Sequence, residues 1–301
     1  MLKVILVTGA TGSIGKSLVA QLRGHEVRVL ARDPIAAEKA LPGVRAHRWR
    51  IGEPVPAEAA QGVDVVVHLA GVPIADGRLT VARLAEVKSS RVDGTRAVVD
   101  AVQTYGIPAL VCASAVGIYA ADATRELTEG APHDDSPLSD ICEAWEAEAV
   151  RAQTFGARVV RVRVGIVLDA HAGALGKVLP LFRLGLGGKL GSGAQWMPWI
   201  HVADVAGLFA FAALHNTLRG VLNASAPIPV TNAEYTQSLA MAVGRPAFFT
   251  VPTFALRLAL GELGRLAVMS QRMVPSHALQ EGYKFQFPVI SGALNNLVGQ
   301  A

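Results

Sequence analysis

The chain has 301 residues, 51% hydrophobic, 17% charged and 6% aromatic, with a formal net charge of +4. Such a length suits one large domain or two unequal ones, and so apolar a composition excludes intrinsic disorder. Few aromatic residues and no long run of one charge argue against a nucleic-acid partner, and two cysteines, Cys112 and Cys142, frame neither a disulfide scaffold nor a zinc site.

The opening MLKVILV runs into TGATGSIG after only a few apolar positions, which suits a buried first strand better than a signal peptide. The longest uncharged apolar stretch, Val205–Leu214, is about half a membrane span, so no membrane partner is expected and the expected compartment is the reducing cytoplasm. Strands are predicted at Lys3–Thr8, Glu26–Ala31, Val44–Trp49, Asp64–Leu69, Ala109–Ser114 and Ala157–Val164. Helices are predicted at Ser13–Arg23, Leu79–Tyr105 and Cys142–Phe155. This alternation implies an α/β fold, a doubly wound parallel sheet of the Rossmann type.

The rhythm breaks after Gly165. Gly173–Gly193 is rich in glycine around a short predicted helix at Val178–Leu184. A strand at Trp196–His201, a helix at Val202–Leu214 and a last strand at Val221–Asn223 follow. From Ala226 onward, helical patterns separated by Pro246, Pro252, Pro275 and Pro288 imply a smaller, mostly helical lobe. The expected division is a dinucleotide-binding domain over 1–165, completed by about 196–225, with 166–195 and 226–301 forming a substrate lobe.

Gly9-Ala10-Thr11-Gly12-Ser13-Ile14-Gly15 lies between the first strand and the first helix. Small residues there let the backbone approach a pyrophosphate, whose charge the helix N-terminus receives. Arg32 stands 23 residues after Gly9, at the end of the second strand. An acidic residue in that neighbourhood would hold an NAD ribose, whereas a guanidinium favours the 2′-phosphate of NADP(H). The bland alternative is a surface arginine paired with Asp33, and Asp33 itself keeps NAD open.

TGATGSIG, the strand end His68-Leu69-Ala70-Gly71 and Asp93-Gly94-Thr95 resemble the extended branch of the short-chain dehydrogenase/reductase superfamily. Ser114–Tyr119 (SAVGIY), Trp145-Glu146, the block Leu181–Gly207 and the tail motifs GVLNASAP, TNAEY and Gly282–Phe285 are similar to its atypical "epimerase family" proteins. The resemblance covers nearly the whole chain and implies NADP(H) as cofactor and a lobe closing over a substrate cleft. It implies cofactor contacts from Gly9, Thr11, Gly12, Ser13, Ile14 and Arg32, with Leu69 and Ala70 on the adenosine side. Glu86 and Arg91 would face the cofactor from the long helix, the alternative being an exposed ion pair, and Val167 would lie near the nicotinamide half.

One departure stands out. The superfamily's Tyr-x-x-x-Lys pair, in which lysine lowers the tyrosine pKa for proton transfer, is absent: Ser136–Ala149 contains neither residue. Cys142 and Glu146 have the spacing, either as another acid–base pair or as a structural thiol and a solvated glutamate. Tyr119 is the first catalytic candidate, with a tyrosine packed under the lobe as its alternative. Water relayed through Ser114 is the second, although the offset to Tyr119 suggests Ala115 at the place of the reactive serine. Gln195, Trp196, Trp199 and His201 are candidate substrate contacts, with Trp199 as core and His201–Asp204 as a helix start the alternatives. No metal-ligand spacing occurs among the eight histidines. Two functions follow. One is an NADP(H)-dependent epimerase- or reductase-like enzyme for a small molecule, a nucleotide sugar among the candidates. The other is an NADPH-holding regulator that has lost acid–base chemistry, for instance one acting in division.

Overall fold

The computed structural model describes residues 2–74 and 77–299. β-Branched and apolar residues form β1 (Val4–Thr8), and the glycine turn delivers the chain into α1 (Ser13–Gln21). β2 (Glu26–Ala31) is followed by α2 (Pro34–Ala40), a helix absent from the sequence expectations. It starts there because Asp33 accepts from the Ala36 amide and Pro34 occupies the first turn. β3 (Arg45–Arg48), the single turn α3 (Ala57–Ala60) and β4 (Val65–His68) lead to the 25-residue α4 (Val81–Tyr105), capped by the Thr80 hydroxyl.

β5 (Ala109–Ala115) and β6 (Asp122–Leu127) precede α5 (Pro137–Val150), which starts five residues before the predicted Cys142 because Ser136 and Pro137 form a capped first turn. Its expected last turn is a 3₁₀ turn, Arg151–Phe155. β7 (Arg158–Val164) and β8 (Ile166–Leu168) follow, then α6 (Gly173–Arg183), longer than predicted, and β9 (Gly188–Leu190). The expected strand Trp196–His201 is two strands, β10 (Trp196–Met197) and β11 (Trp199–His201). Pro198 interrupts the ladder, and the halves pair with different partners.

α7 (Val202–Leu214), β12 (Gly220–Ala224), β13 (Val230–Thr231), α8 (Asn232–Val243), β14 (Phe249–Val251), α9 (Thr253–Leu260), α10 (Glu262–Leu266), β15 (Gln271–Met273), α11 (Ser276–Gln280) and α12 (Ile290–Gly299) complete the chain. The region after Ala226 is thus mainly helical, with three short strands inserted.

The central sheet is parallel, in the order β12-β7-β5-β4-β1-β2-β3. Side chains alternate between its faces, so Ile5, Val7, Val65 and Val67 pack with Leu18, Leu208 and Phe209 on one side. Leu6, Val66 and Leu110 pack with Val99, Trp145 and Ala149 on the other. A third cluster joins Leu168, Leu175, Phe182, Trp199, Tyr235 and Leu294. Connections leave β1 and β4 in opposite directions along the sheet, which opens a crevice beyond their carboxyl ends. No helix among the described residues is long and apolar enough to cross a membrane.

Candidate functional site

At the crevice, the first turn is built around Thr8. Its Oγ1 accepts from the amides of Leu69 (3.1 Å) and Ala70 (3.0 Å), and therefore donates its own proton to His68 Nδ1, 2.7 Å away. Leu69 and Ala70 are thereby fixed beside the glycine loop. Gly9 has φ +70°, and a Cβ on it would stand 2.9 Å from the Ala70 nitrogen, so the chain admits only glycine there. Gly12 is different. A Cβ there would meet only the Gly9 carbonyl, at 3.4 Å, and its φ of −73° suits any residue. Gly12 is also the N-cap of α1 and supplies no side chain to the helix's first amides. The Gly12 amide donates to the Gly9 carbonyl (3.1 Å), so open space above Gly12 meets the unsatisfied amides of Ser13 and Ile14, with Thr11 exposed beside them. The Ser13 hydroxyl bonds the Asp169 carboxylate from the turn after β8.

Arg32, at the end of β2, is exposed and makes no hydrogen bond or ion pair with another described residue. Asp33 is occupied instead by the α2 amide at Ala36, 3.0 Å away. The pairing of Arg32 with Asp33 weighed from the sequence does not form. An open glycine turn, a bare helix N-terminus and a free guanidinium fit a dinucleotide carrying a 2′-phosphate.

Glu86 and Arg91 do not act together. Five helical residues turn through about 500°, leaving the two side chains roughly 140° apart. Glu86 is exposed and pairs with Arg83 at 2.7 Å. Arg91 turns inward, donates to the carbonyls of Val72 (3.0 Å) and Val87 (3.3 Å), and lies 5.1 Å over the Trp145 ring. Val167 is half-buried in β8, where it pairs with Ile200.

Beyond the ends of β5 and β7 lies a cavity of about 440 Å³, roofed by the C-terminal region and reached by Arg91, Cys142 and Trp196. Tyr119 and Ser114 do not line it. Tyr119 is fully buried; its hydroxyl donates to Asn223 Oδ1 (2.6 Å) and accepts from Arg163 Nη1 (2.8 Å). Ser114 donates to Glu146 Oε1 at 2.7 Å. Both catalytic expectations are corrected by this geometry, because each hydroxyl is committed to a buried network away from the cavity wall. Burial raises the Tyr119 pKa against the pull of Arg163.

Glu146 is the hub of that network, 2.7 Å from Arg163 Nε and 2.9 Å from Arg161 Nη1. Burial opposes its charge, but Arg163, Ser114 and Arg161 outweigh burial and lower its pKa. The Cys142 thiol is pushed up to about 12 by burial and stays protonated. Neither member of the Cys142–Glu146 spacing is a free base, and the solvated-glutamate alternative also fails. Arg163 escaped the sequence reading, although three arginines in a strand covered on both faces signal a buried counterion.

Of the expected substrate contacts, Trp196 lines the cavity, with Arg272 over its ring at 4.7 Å. Gln195 does not line it; it is buried and bonds the Leu190 carbonyl. Trp199 is core, 1% exposed, because the switch of partner at Pro198 turns it into the third cluster. His201 is a helix cap: Nδ1 accepts from the Ala203 amide, and Phe287 stacks on the ring at 3.9 Å. Asp204 receives the Gln286 and Phe287 amides and ties down the C-terminal segment. Among the described residues no group of three His, Cys, Asp or Glu is placed to hold a metal.

Comparison with known proteins adds to this geometry. The pattern of the NAD dependent epimerase/dehydratase family matches residues 5–224, and a domain of unknown function (DUF1731) matches residues 251–297. An Arabidopsis thaliana protein named as a chloroplastic epimerase family protein SDR39U1 homolog is 36% identical over 98% of this chain and 86% of its own length. The crystal structure of human epimerase family protein SDR39U1 with NADPH superposes with a TM-score of 0.89 at 34% identity, covering 99% of this chain and all of that one. A nucleoside-diphosphate sugar epimerase from Corynebacterium glutamicum is similar at a TM-score of 0.80 and 30% identity, over the whole of this chain and 59% of that one.

Proposed function

Because this chain belongs to the NAD dependent epimerase/dehydratase family, we propose that it binds NADP(H) across the crevice and acts as an epimerase- or reductase-like protein on a small molecule. The observation that carries the reading is Arg32, exposed and unpaired beside an open glycine turn while Asp33 is held by α2. Arg32 pairs with the 2′-phosphate, the first amides of α1 receive the pyrophosphate, and Leu69 and Ala70 flank the adenosine. The human relative crystallised with NADPH supports the choice of cofactor. When bound, NADPH supplies a hydride for a carbonyl carbon.

The proton that accompanies such a reduction does not come from a Tyr-x-x-x-Lys pair, which this chain lacks, nor from the groups first considered in its place. Tyr119 and Ser114 are bonded into the Glu146–Arg163 network, and the Cys142 thiol stays protonated. Turnover by this chain is accordingly slow, or draws its proton from another group of the cleft, from water or from the substrate itself. The same observation favours a second reading, an NADPH-holding regulator without catalysis.

Gly12→Val tests the cofactor site. A Cβ at this position meets only the Gly9 carbonyl at 3.4 Å, and the added side chain projects into the space assigned to the pyrophosphate. Calorimetry should find NADPH binding abolished with the thermal midpoint within a few degrees of the parent. Retained binding would place the phosphate elsewhere.

A further inference from the structure

The cavity beyond β5 and β7 is walled by Ile166, Val178, Phe182, Leu190, Leu263 and Leu266. A nucleoside-diphosphate sugar brings two phosphates, which proteins meet with unpaired cations or clustered amide donors. Two arginines reach this cavity, Arg91 and Arg265. Arg265 is already paired with Glu262 at 2.7 Å, and Arg91 is held by two carbonyls and the Trp145 ring. Asp134 adds a carboxylate to the same wall, which would repel a phosphate.

The neutral polar groups are mostly committed too. Asn232 Oδ1 accepts from the Leu190 amide, and Gln271 Nε2 donates to the Val116 and Tyr119 carbonyls. Tyr235 and Thr236 are the exceptions among the described residues, and Tyr235 carries the more acidic hydroxyl. This residue of α8 lines the cavity and is 7% exposed, yet its hydroxyl makes no hydrogen bond with another described residue. The ring is buried while the hydroxyl has no protein partner, so an oxygen delivered by a ligand can take the place of water there. Burial raises the pKa of this phenol, so it remains a donor at neutral pH.

We propose that the cavity takes an uncharged, largely apolar compound bearing a carbonyl or hydroxyl oxygen, held by the Tyr235 hydroxyl, and that nucleoside-diphosphate sugars are not its ligands. The inference rests on reading this cleft as the substrate site, but not on the identity of the cofactor. Tyr235 is here a positioning group for the ligand's oxygen.

The test is a ligand-observed NMR titration of the full chain without cofactor, using acetophenone, its oxygen-free analogue ethylbenzene, and UDP-glucose. Acetophenone and ethylbenzene should both bind and UDP-glucose should not. Tyr235→Phe, which keeps the ring and so the packing, should weaken acetophenone about three- to tenfold, the equivalent of one neutral hydrogen bond, and leave ethylbenzene unchanged. Binding of UDP-glucose displaced by acetophenone, failure of acetophenone to bind, or equal effects of Tyr235→Phe on the two aromatic probes would each overturn the proposal. NADPH calorimetry on the same preparation separates the two readings: loss of cofactor affinity there refutes the cofactor assignment alone.

Discussion

Replacing Glu146 by alanine isolates the buried charge cluster that stands where acid–base groups were sought. Glu146 is 3% exposed and accepts from Ser114, Arg161 and Arg163; Arg163 is equally buried. Without the carboxylate, Arg163 retains only the Tyr119 hydroxyl, the Glu129 carbonyl and the His133 ring as partners. Removing one partner of such a buried pair costs about 3–5 kcal/mol. Unfolding entropy for a chain of this length is about 0.6 kcal/mol/K, so the thermal midpoint should fall by about 5–8 °C. Calorimetry at pH 7 measures it, with Glu143→Ala as control. That glutamate is exposed against His133, and its loss should shift the midpoint by less than about 2 °C. The Glu146 pKa is lowered in the folded state, so its contribution is full above the unfolded carboxylate value and disappears as pH falls through the folded one. The gap between parent and Glu146→Ala should therefore close below about pH 4. A midpoint shift no larger than that of Glu143→Ala, or a gap unchanged by acid, would refute the assignment of Glu146 as a charged hub.

Tyr119→Phe removes one donor–acceptor link to Asn223 and Arg163, and should destabilise the chain by about 1–3 kcal/mol in urea titrations while NADPH affinity stays within about twofold. Lost NADPH binding at unchanged stability would refute this structural role for Tyr119. Burial lowers the His68 pKa to about 4, so the unfolded chain binds this proton first on acidification. Stability should be full above about pH 6.5 and fall by up to about 3 kcal/mol towards pH 4, with the buried His201 contributing in the same direction. Urea midpoints across this range should slope less in His68→Gln; an identical slope would remove His68 as a cause.

The β1–turn–α1 unit was legible because its signals are local: a short apolar run, glycines at fixed offsets and a helical period. Two further local signals went unread. Asp33-Pro34 is a helix start, which explains both α2 and the freedom of Arg32. Pro198 inside a strand pattern marks the change of partner that sends Trp199 into the core. The five-residue interval between Glu86 and Arg91 already implies different helix faces. The direction of Tyr119 is another matter, for it depends on Asn223 and Arg163, contributed by strands far along the chain. Tyr235 closes the TNAEY motif, but what distinguishes it is a missing partner, and only packing shows that.

The central claim is that Arg32 selects the phosphorylated cofactor, and paired titrations of NADPH and NADH into the parent and Arg32→Ala test it most directly. The parent should bind NADPH more tightly than NADH. Arg32→Ala should weaken NADPH by about 1–3 kcal/mol, the value of a charge-assisted bond, and leave NADH almost unchanged. Equal affinities in the parent, or equal losses for both nucleotides in the variant, would contradict it.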